Sequence, residues 1–287
     1  MTTFQIVVLA IIQGLAELLP VSSSAHVIVA AKLMRLDPAD PQMTLLLVML
    51  HTGTMLAVIA YFWQAWRRTF FASKAACKRV AALLIFSTIL TALVGYPIKY
   101  AIEKIALRNI AHAEIEMIFG NLGLVAGALA AAGALILYAG LRRTGPAEGQ
   151  DELGWPAAGW MGAIQGLCLP FRGFSRSGAT ISAGMILGTT KARVEEYSFA
   201  MAVIITPPVV FHEIKRFLAT RPGFIADAGS VWHLFAPSLL GLVVSFLSGL
   251  LALAWLSRWL EHGRWYVFGI YCLLAAGVVF WLHLRGF

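Results

Sequence analysis

The side chains able to do chemistry are concentrated in two short polar strings of an otherwise apolar sequence. The first opens with Gln13 and Glu17, four residues apart, a spacing that puts both on one face of a helix. Pro20 ends that helix, and Ser22, Ser23 and Ser24 then run up to His26. Serines beginning a new helix would bring hydroxyls and backbone N–H groups to a place where an anion can bind. His26 is the residue type that gives and takes protons near neutral pH. In the second string, Gly173 to Thr180, the hydroxyls of Ser175, Ser177 and Thr180 surround Arg176, with Arg172 four residues before it. Gly173 and Gly178 permit a close backbone approach, and a guanidinium offers a fixed fork of donors matched to phosphate oxygens. One carboxylate, one imidazole, several hydroxyls and an arginine make a set suited to phosphoryl transfer. The arginine neutralises charge, a hydroxyl or water attacks, and the histidine handles protons. A phosphoanhydride carries several negative charges, so Glu17 also predicts a bound divalent cation, Mg2+ or Ca2+, bridging to phosphate.

Each residue also has a plainer reading. Glu17 could reach the interface from a helix end, the serines could be caps beside a packing histidine, and the arginines could snorkel to lipid headgroups. What favours the chemical reading of Glu17 is its place inside an apolar stretch, where an ionisable group is costly unless it faces a polar cavity.

The elements that must position these strings are membrane helices. Of 287 residues, 60% are apolar and 13% charged, against about 25% charged in soluble domains. Apolar segments run approximately over 4–19, 43–63, 80–96, 117–140, 157–169, 181–190, 197–211, 232–256 and 265–284. Six of them are read as spans: 43–63, 80–96, 117–140, 197–211, 232–256 and 265–284. The short, interrupted stretches 4–19 with 21–34 and 157–169 with 181–190 read as discontinuous helices around a midplane site. The chain therefore reads as an all-α polytopic membrane protein. Gln13-Gly14-Leu15 returns 152 positions later as Gln165-Gly166-Leu167, and Ser22 returns 153 positions later as Ser175. This predicts two membrane repeats in one integral domain, 1–145 with the motif 13–26 and 146–287 with the motif 165–180, inverted relative to each other.

The formal charge of +8 lies mainly between apolar runs, where cytoplasmic retention and anionic lipid explain it, so no nucleic-acid partner is expected. Loop 64–79, with Arg67, Arg68, Lys74, Lys78 and Arg79, is placed in the cytoplasm, as is 141–156 with Arg142 and Arg143. The nearly balanced loop 97–116 is placed on the opposite face. Cys77, Cys168 and Cys272 form no disulfide or zinc pattern. The first basic residue is Lys32, so no cleaved signal peptide is expected.

These motifs resemble the bacitracin-resistance family of undecaprenyl-diphosphatases, over essentially the full length. That family shows an (E/Q)xxxE element before PVSSxxH and a second motif PGxSRSGAT. Gln13 and Glu17, Pro20 through His26, and Gly173 through Thr180 match them. His51-Thr52-Gly53-Thr54 and Glu196-Tyr197-Ser198-Phe199 are flanking likenesses. The resemblance implies six spanning helices plus two re-entrant pairs as an inverted repeat, in the bacterial inner membrane, with the site toward the periplasm. It implies hydrolysis of undecaprenyl pyrophosphate to undecaprenyl phosphate and phosphate, which recycles the carrier for peptidoglycan synthesis and confers bacitracin resistance. Glu17 would bind metal or help activate the nucleophile, and Ser23 would attack or bind phosphate. His26 would be the acid/base and Arg176 the clamp on the diphosphate. Gln13, Ser22, Ser24, Arg172, Gly173, Ser175, Ser177 and Thr180 would bind substrate. Two positions depart from the pattern: Gln13 stands where many relatives carry Glu, and Arg172 replaces the usual Pro before Gly173.

The residues leave other classes open. A polyprenyl-phosphate flippase or ion-coupled transporter could use the same repeats. The type-2 phosphatidic acid phosphatases need a His shortly after their Ser-Arg, and none occurs between Arg176 and His212. The remaining histidines read as packing or interfacial, with His51 alone near a matched motif. Pro207-Pro208 predicts a kink, and Trp63, Trp66, Trp232, Trp265 and Trp281 read as interface anchors. The partners expected are membrane lipids and the lipid substrate, and a homodimer is allowed.

Overall fold

The computed structural model describes residues 1–36, 41–106, 115–142, 152–220 and 228–286. Ten α-helices run through these residues: α1 (Thr3–Leu18), α2 (Ser23–Leu33), α3 (Pro41–Thr69), α4 (Lys74–Ala101), α5 (Leu122–Leu141), α6 (Trp155–Cys168), α7 (Arg176–Ile186), α8 (Lys191–Thr220), α9 (Ala228–Glu261) and α10 (Trp265–Leu284). Six contain stretches long and apolar enough to cross a membrane: Met43–Thr69, Lys74–Ile105, Leu122–Leu141, Lys191–Lys215, Phe235–Glu261 and Trp265–Leu284. The shortest of them has 20 residues, about 30 Å of helix, which matches the hydrocarbon thickness. The chain is thus a multi-pass, all-α membrane protein with the six expected spans.

The other four helices are short. Helices α1 and α2, 16 and 11 residues, are joined by a turn at 19–22; α6 and α7, 14 and 11 residues, are joined by 169–175. None of the four is long enough to cross 30 Å alone. Local signals set their ends. Thr2 and Gln5 form a reciprocal cap at the start of α1. Pro20 cannot extend α1, and Ser175 caps α7 by accepting the Gly178 N–H at 3.2 Å.

Two expectations about the turns need correction. The stretch 64–79 is mostly helix, because α3 continues to Thr69 and α4 begins at Lys74. Arg and Lys are good helix formers whose charged heads reach water at a helix end. Likewise α4 and a following π turn, Ile102–Ala106, occupy the first part of 97–116. Arg108 and Arg143 fall outside the described residues, as does the boundary drawn between 145 and 146. Two tryptophans are also reassigned. Trp66 and Trp265 are buried, donating to the Glu196 carbonyl at 3.3 Å and to the Ser182 hydroxyl at 3.0 Å. An indole whose N–H finds a partner inside the fold needs no headgroup. Trp63 and Trp281 are exposed as anchors would be, and the Trp232 side chain is outside the described set. Pro207 and Pro208 lie within α8, with helix on both sides.

Helix α1 lies along α9 and against α2, while α6 lies along α4 and against α7; α3 meets both α8 and α9, and α5 meets α10. Exchanging α1–α5 for α6–α10 in order turns most of these contacts into one another. The likeness extends to single bonds. Ser248 on α9 donates to the Ala10 carbonyl at 3.4 Å, and Thr91 on α4 donates to the Gly162 carbonyl at 2.9 Å; Ala10 and Gly162 are 152 residues apart. A β-carbon on Gly14 would lie 1.9 Å from the Ser248 hydroxyl, and one on Gly166 would lie 2.5 Å from the Thr91 carbonyl oxygen. Glycine is what lets each short helix approach its long neighbour.

Candidate active site

The two turns meet, and this brings the two polar strings together. The Gly173 N–H donates to the Ser24 hydroxyl at 3.3 Å, and the Ser177 hydroxyl donates to the Leu19 carbonyl at 3.4 Å. Gly173 has φ +106°, and a β-carbon there would lie 2.4 Å from the Val125 carbonyl oxygen on α5. Only glycine satisfies both demands. Ser22, the residue before α2, has φ 65° without being glycine, a conformation that costs on the order of 1–3 kcal/mol. Its strain lies at the turn that presents the start of α2.

Glu17, near the end of α1, is the centre of the cluster. One carboxylate oxygen accepts from Arg176 at 3.2 Å. The other accepts from the Gln13 amide at 3.1 Å and from the Ser23 hydroxyl in a short hydrogen bond. His51 on α3 places Nε2 3.9 Å from that second oxygen, and its Nδ1 bonds the Leu47 carbonyl at 2.8 Å. Ser23 and Arg176 are the first residues of α2 and α7. The carboxylate therefore ties together side chains from the first residues of two helices, ends whose dipoles favour negative charge nearby. The Arg176 Nη1 atom is buried and has no partner among the described residues. An anion of the right shape would complete it.

Other predicted residues hold the scaffold. Ser175, Ser177 and Thr180 are buried, and their hydroxyls serve the backbone or neighbouring helices. Thr180 pairs with Ser198 on α8 at 2.6 Å and donates to the Arg176 carbonyl at 2.9 Å. Ser22 pairs with Ser24 at 3.3 Å. The hydrogen bonds of His26 run to the Ser22 carbonyl and to Tyr271 on α10, and not to Glu17, Ser23 or Arg176. Arg172 is exposed and stacks its guanidinium 4.4 Å over the Phe119 ring, beside the start of α5. Three residues join the site that motif reading had not placed there: His51, Ser198 and Tyr271. The first two belong to flanking likenesses already visible in the sequence. Tyr271 had no signal, being one aromatic in an apolar span.

Comparison with known proteins gives the family. The family model described as "Bacitracin resistance protein BacA" matches residues 6–279. The chain belongs to the BacA family. It is 51% identical over 280 residues to a protein of Acinetobacter baylyi named undecaprenyl-diphosphatase 2, covering 97% of each chain. It is 32% identical to an undecaprenyl-diphosphatase of Desulfosudis oleivorans, covering 99% of this chain and 100% of that one. It is 34% identical to undecaprenyl-diphosphatase 1 of Burkholderia pseudomallei, covering 96% and 95%. The matched span holds both polar strings together with α3, α5 and most of α10, Tyr271 included, so the whole cluster around Glu17 falls within the BacA likeness.

The donors present bear on a cation. Among the described residues, no three His, Cys, Asp or Glu side chains converge to hold a metal ion. Glu17 is the carboxylate of this cluster, and Gln13 beside it is neutral. That set cannot enclose a metal alone. A divalent cation at Glu17 would have to take its other ligands from substrate phosphates and water, the usual manner for Mg2+.

Proposed function

We propose that this BacA-family chain hydrolyses undecaprenyl pyrophosphate to undecaprenyl phosphate and inorganic phosphate. The observation that carries the reading is the Glu17 carboxylate, which draws the N-terminal residues of two helices, Ser23 and Arg176, onto one point. Inside a membrane protein, an anionic headgroup needs such a concentration of donors, while the polyprenyl tail needs only lipid and apolar helix.

The chain's own groups divide the work. Arg176 and the N-terminal N–H groups of α2 and α7 neutralise the diphosphate and hold its terminal phosphorus in line. Glu17 accepts the proton of the attacking oxygen, whether the Ser23 hydroxyl or a water in its place. The bond from the terminal phosphorus to the bridging oxygen breaks, and the lipid monophosphate leaves. If Ser23 attacks, water then releases the phosphate from it. His26 is the second proton-handling group, and His51 stands beside Glu17 as an additional partner for the carboxylate. Glu17 would be the residue to hold a divalent cation, whose chemistry would be to offset negative charge on the phosphate oxygens.

We place the chain in the bacterial plasma membrane as an inverted repeat with the site open to the periplasm. Three spans in the first half would return the second half to the membrane from the opposite side, and the exchange of helix contacts supports the duplication. Contacts between the end of α3 and the start of α8 (Trp66 with Glu196), and between the end of α9 and the start of α8 (Ser257 with Glu195, 2.7 Å), gather helix ends on one face. That face carries Arg67, Arg68, Lys74, Lys78 and Arg79, which supports its being cytoplasmic.

The test is phosphate release from undecaprenyl pyrophosphate by detergent-purified protein, with and without EDTA, beside Arg176→Ala and Glu17→Gln. Wild-type release should fall in EDTA and return with Mg2+ or Ca2+. Arg176→Ala should lose about 10²–10³-fold in turnover, and Glu17→Gln should lose both activity and metal response. No release by folded wild-type protein supplied with metal and lipid would overturn the hydrolase and favour a lipid transporter.

A further inference from the structure

His26 is the fourth residue of α2, and both of its ring nitrogens are engaged. Nδ1 lies 2.8 Å from the Ser22 carbonyl, one turn back. A carbonyl oxygen only accepts, so Nδ1 carries the hydrogen and the neutral ring keeps its lone pair on Nε2. Nε2 lies 2.7 Å from the Tyr271 hydroxyl, which therefore donates to it. The two rings are also nearly parallel, at 12° with centroids 5.7 Å apart. The carbonyl that holds Nδ1 belongs to Ser22, whose backbone is the strained one at φ 65°.

Nothing about α10 alone asks for a tyrosine at this place. It is the seventh residue of a 20-residue helix with mean hydropathy 2.1, about 9 Å in from the end, and its neighbours Ile270, Leu273 and Leu274 are apolar. A hydroxyl there must find a polar partner. The second half of the chain shows that the architecture packs without such a pair. The position 153 residues after His26 is Ala179, and there α7 meets α5 through Gly178 against Ile136.

We propose that Tyr271 is a positioning residue for His26 in hydrolysis, an inference that rests on reading His26 as a proton-handling group of the site. The Ser22 carbonyl and the Tyr271 hydroxyl together fix the ring plane and the tautomer, so that the basic nitrogen is always Nε2. Between turnovers this contact holds the lone pair on Nε2 in one direction, and the hydroxyl must turn aside for Nε2 to exchange a proton with the site. Tyr271 acts through His26 and not on the substrate.

The experiment is a double-mutant cycle on phosphate release with Tyr271→Phe, His26→Gln and the double variant, each checked for folding by its melting temperature in detergent. Phenylalanine keeps the stacked ring and removes only the hydroxyl. Tyr271→Phe should lower kcat roughly fivefold to tenfold, the worth of one hydrogen bond, with KM unchanged. In the His26→Gln background the same change should cost nothing further, since its target is gone. Full kcat in Tyr271→Phe beside an impaired His26→Gln overturns the positioning role and leaves the histidine reading standing. Losses that multiply in the double variant also overturn it, because Tyr271 would then act independently of His26. Full activity in His26→Gln removes the histidine reading itself, and this inference with it.

Discussion

Single residues of this site are held by geometry that few other side chains could supply, and Gly173 is the sharpest case. Its φ of +106° strains any other residue, and the Val125 carbonyl oxygen would lie 2.4 Å from an added β-carbon. Gly188, in the turn after α7, has φ +82° but nothing within 4 Å of the same atom. The two glycines therefore separate strain from collision. Gly188→Ala should cost about 1 kcal/mol of stability and leave hydrolysis near normal. Gly173→Ala should cost about 2–5 kcal/mol, strain and overpacking together, and abolish most turnover, because the displaced turn carries Arg176 with it. Thermal melting in detergent beside phosphate release checks both; equal effects would mean that the turn tolerates displacement. The residue scale is also where the structure adds most to motif reading. Ser175, Ser177 and Thr180 stand next to Arg176 in the sequence, yet their hydroxyls cap, tie and brace α7. Spacing says which residues share a turn and not which way each hydroxyl points.

At the scale of elements, the short helices work because glycine lets them touch long ones. Gly14 presses α1 onto α9 at Ser245 and Ser248, as Gly166 presses α6 onto α4 at Thr91 and Gly95. Gly14→Ala should destabilise by about 1–3 kcal/mol, seen as a lower melting temperature, and should weaken activity by moving Glu17, one turn further along α1. Adding Ser248→Ala should recover only part of the loss, since the Ser245 carbonyl oxygen remains 2.7 Å from the new methyl. Full recovery would show that the hydroxyl was the whole obstacle. The ends of α3 and α4 were less legible, since charged residues read as loop when they belong to helices that extend beyond the apolar core. Hydropathy reports where lipid begins, and a helix does not stop there.

For the whole molecule, the proposed orientation can be read with a natural reporter. Cys77 is exposed near the start of α4, on the strongly basic face, whereas Cys168 and Cys272 are buried. A membrane-impermeant maleimide should leave intact bacteria expressing the protein unlabelled and modify Cys77 once the plasma membrane is permeabilised, with Cys77→Ser as the blank. Labelling of intact cells at Cys77 would reverse the orientation and turn the site away from the periplasm. The exchange of helix contacts between the halves gives the site its form, because two short helix pairs meeting tip to tip bring two helix N-termini to one point.

The sequence by itself determined that this is a membrane protein with six spans, that two interrupted segments are special, and that its residues belong to the BacA pattern. The first two conclusions rest on hydropathy, on proline and glycine punctuation, and on a recurrence at an offset of 152 to 153, and the third on the resemblance of the two motifs to that family, all of which are local in the chain. The tertiary structure decided which of the named residues touch. Glu17 gathers Gln13, Ser23, Arg176 and His51, while His26 turns to Tyr271 and Arg172 to Phe119. Such pairings join residues as far apart as 245 positions. They depend on how whole helices pack, which no short window of sequence contains.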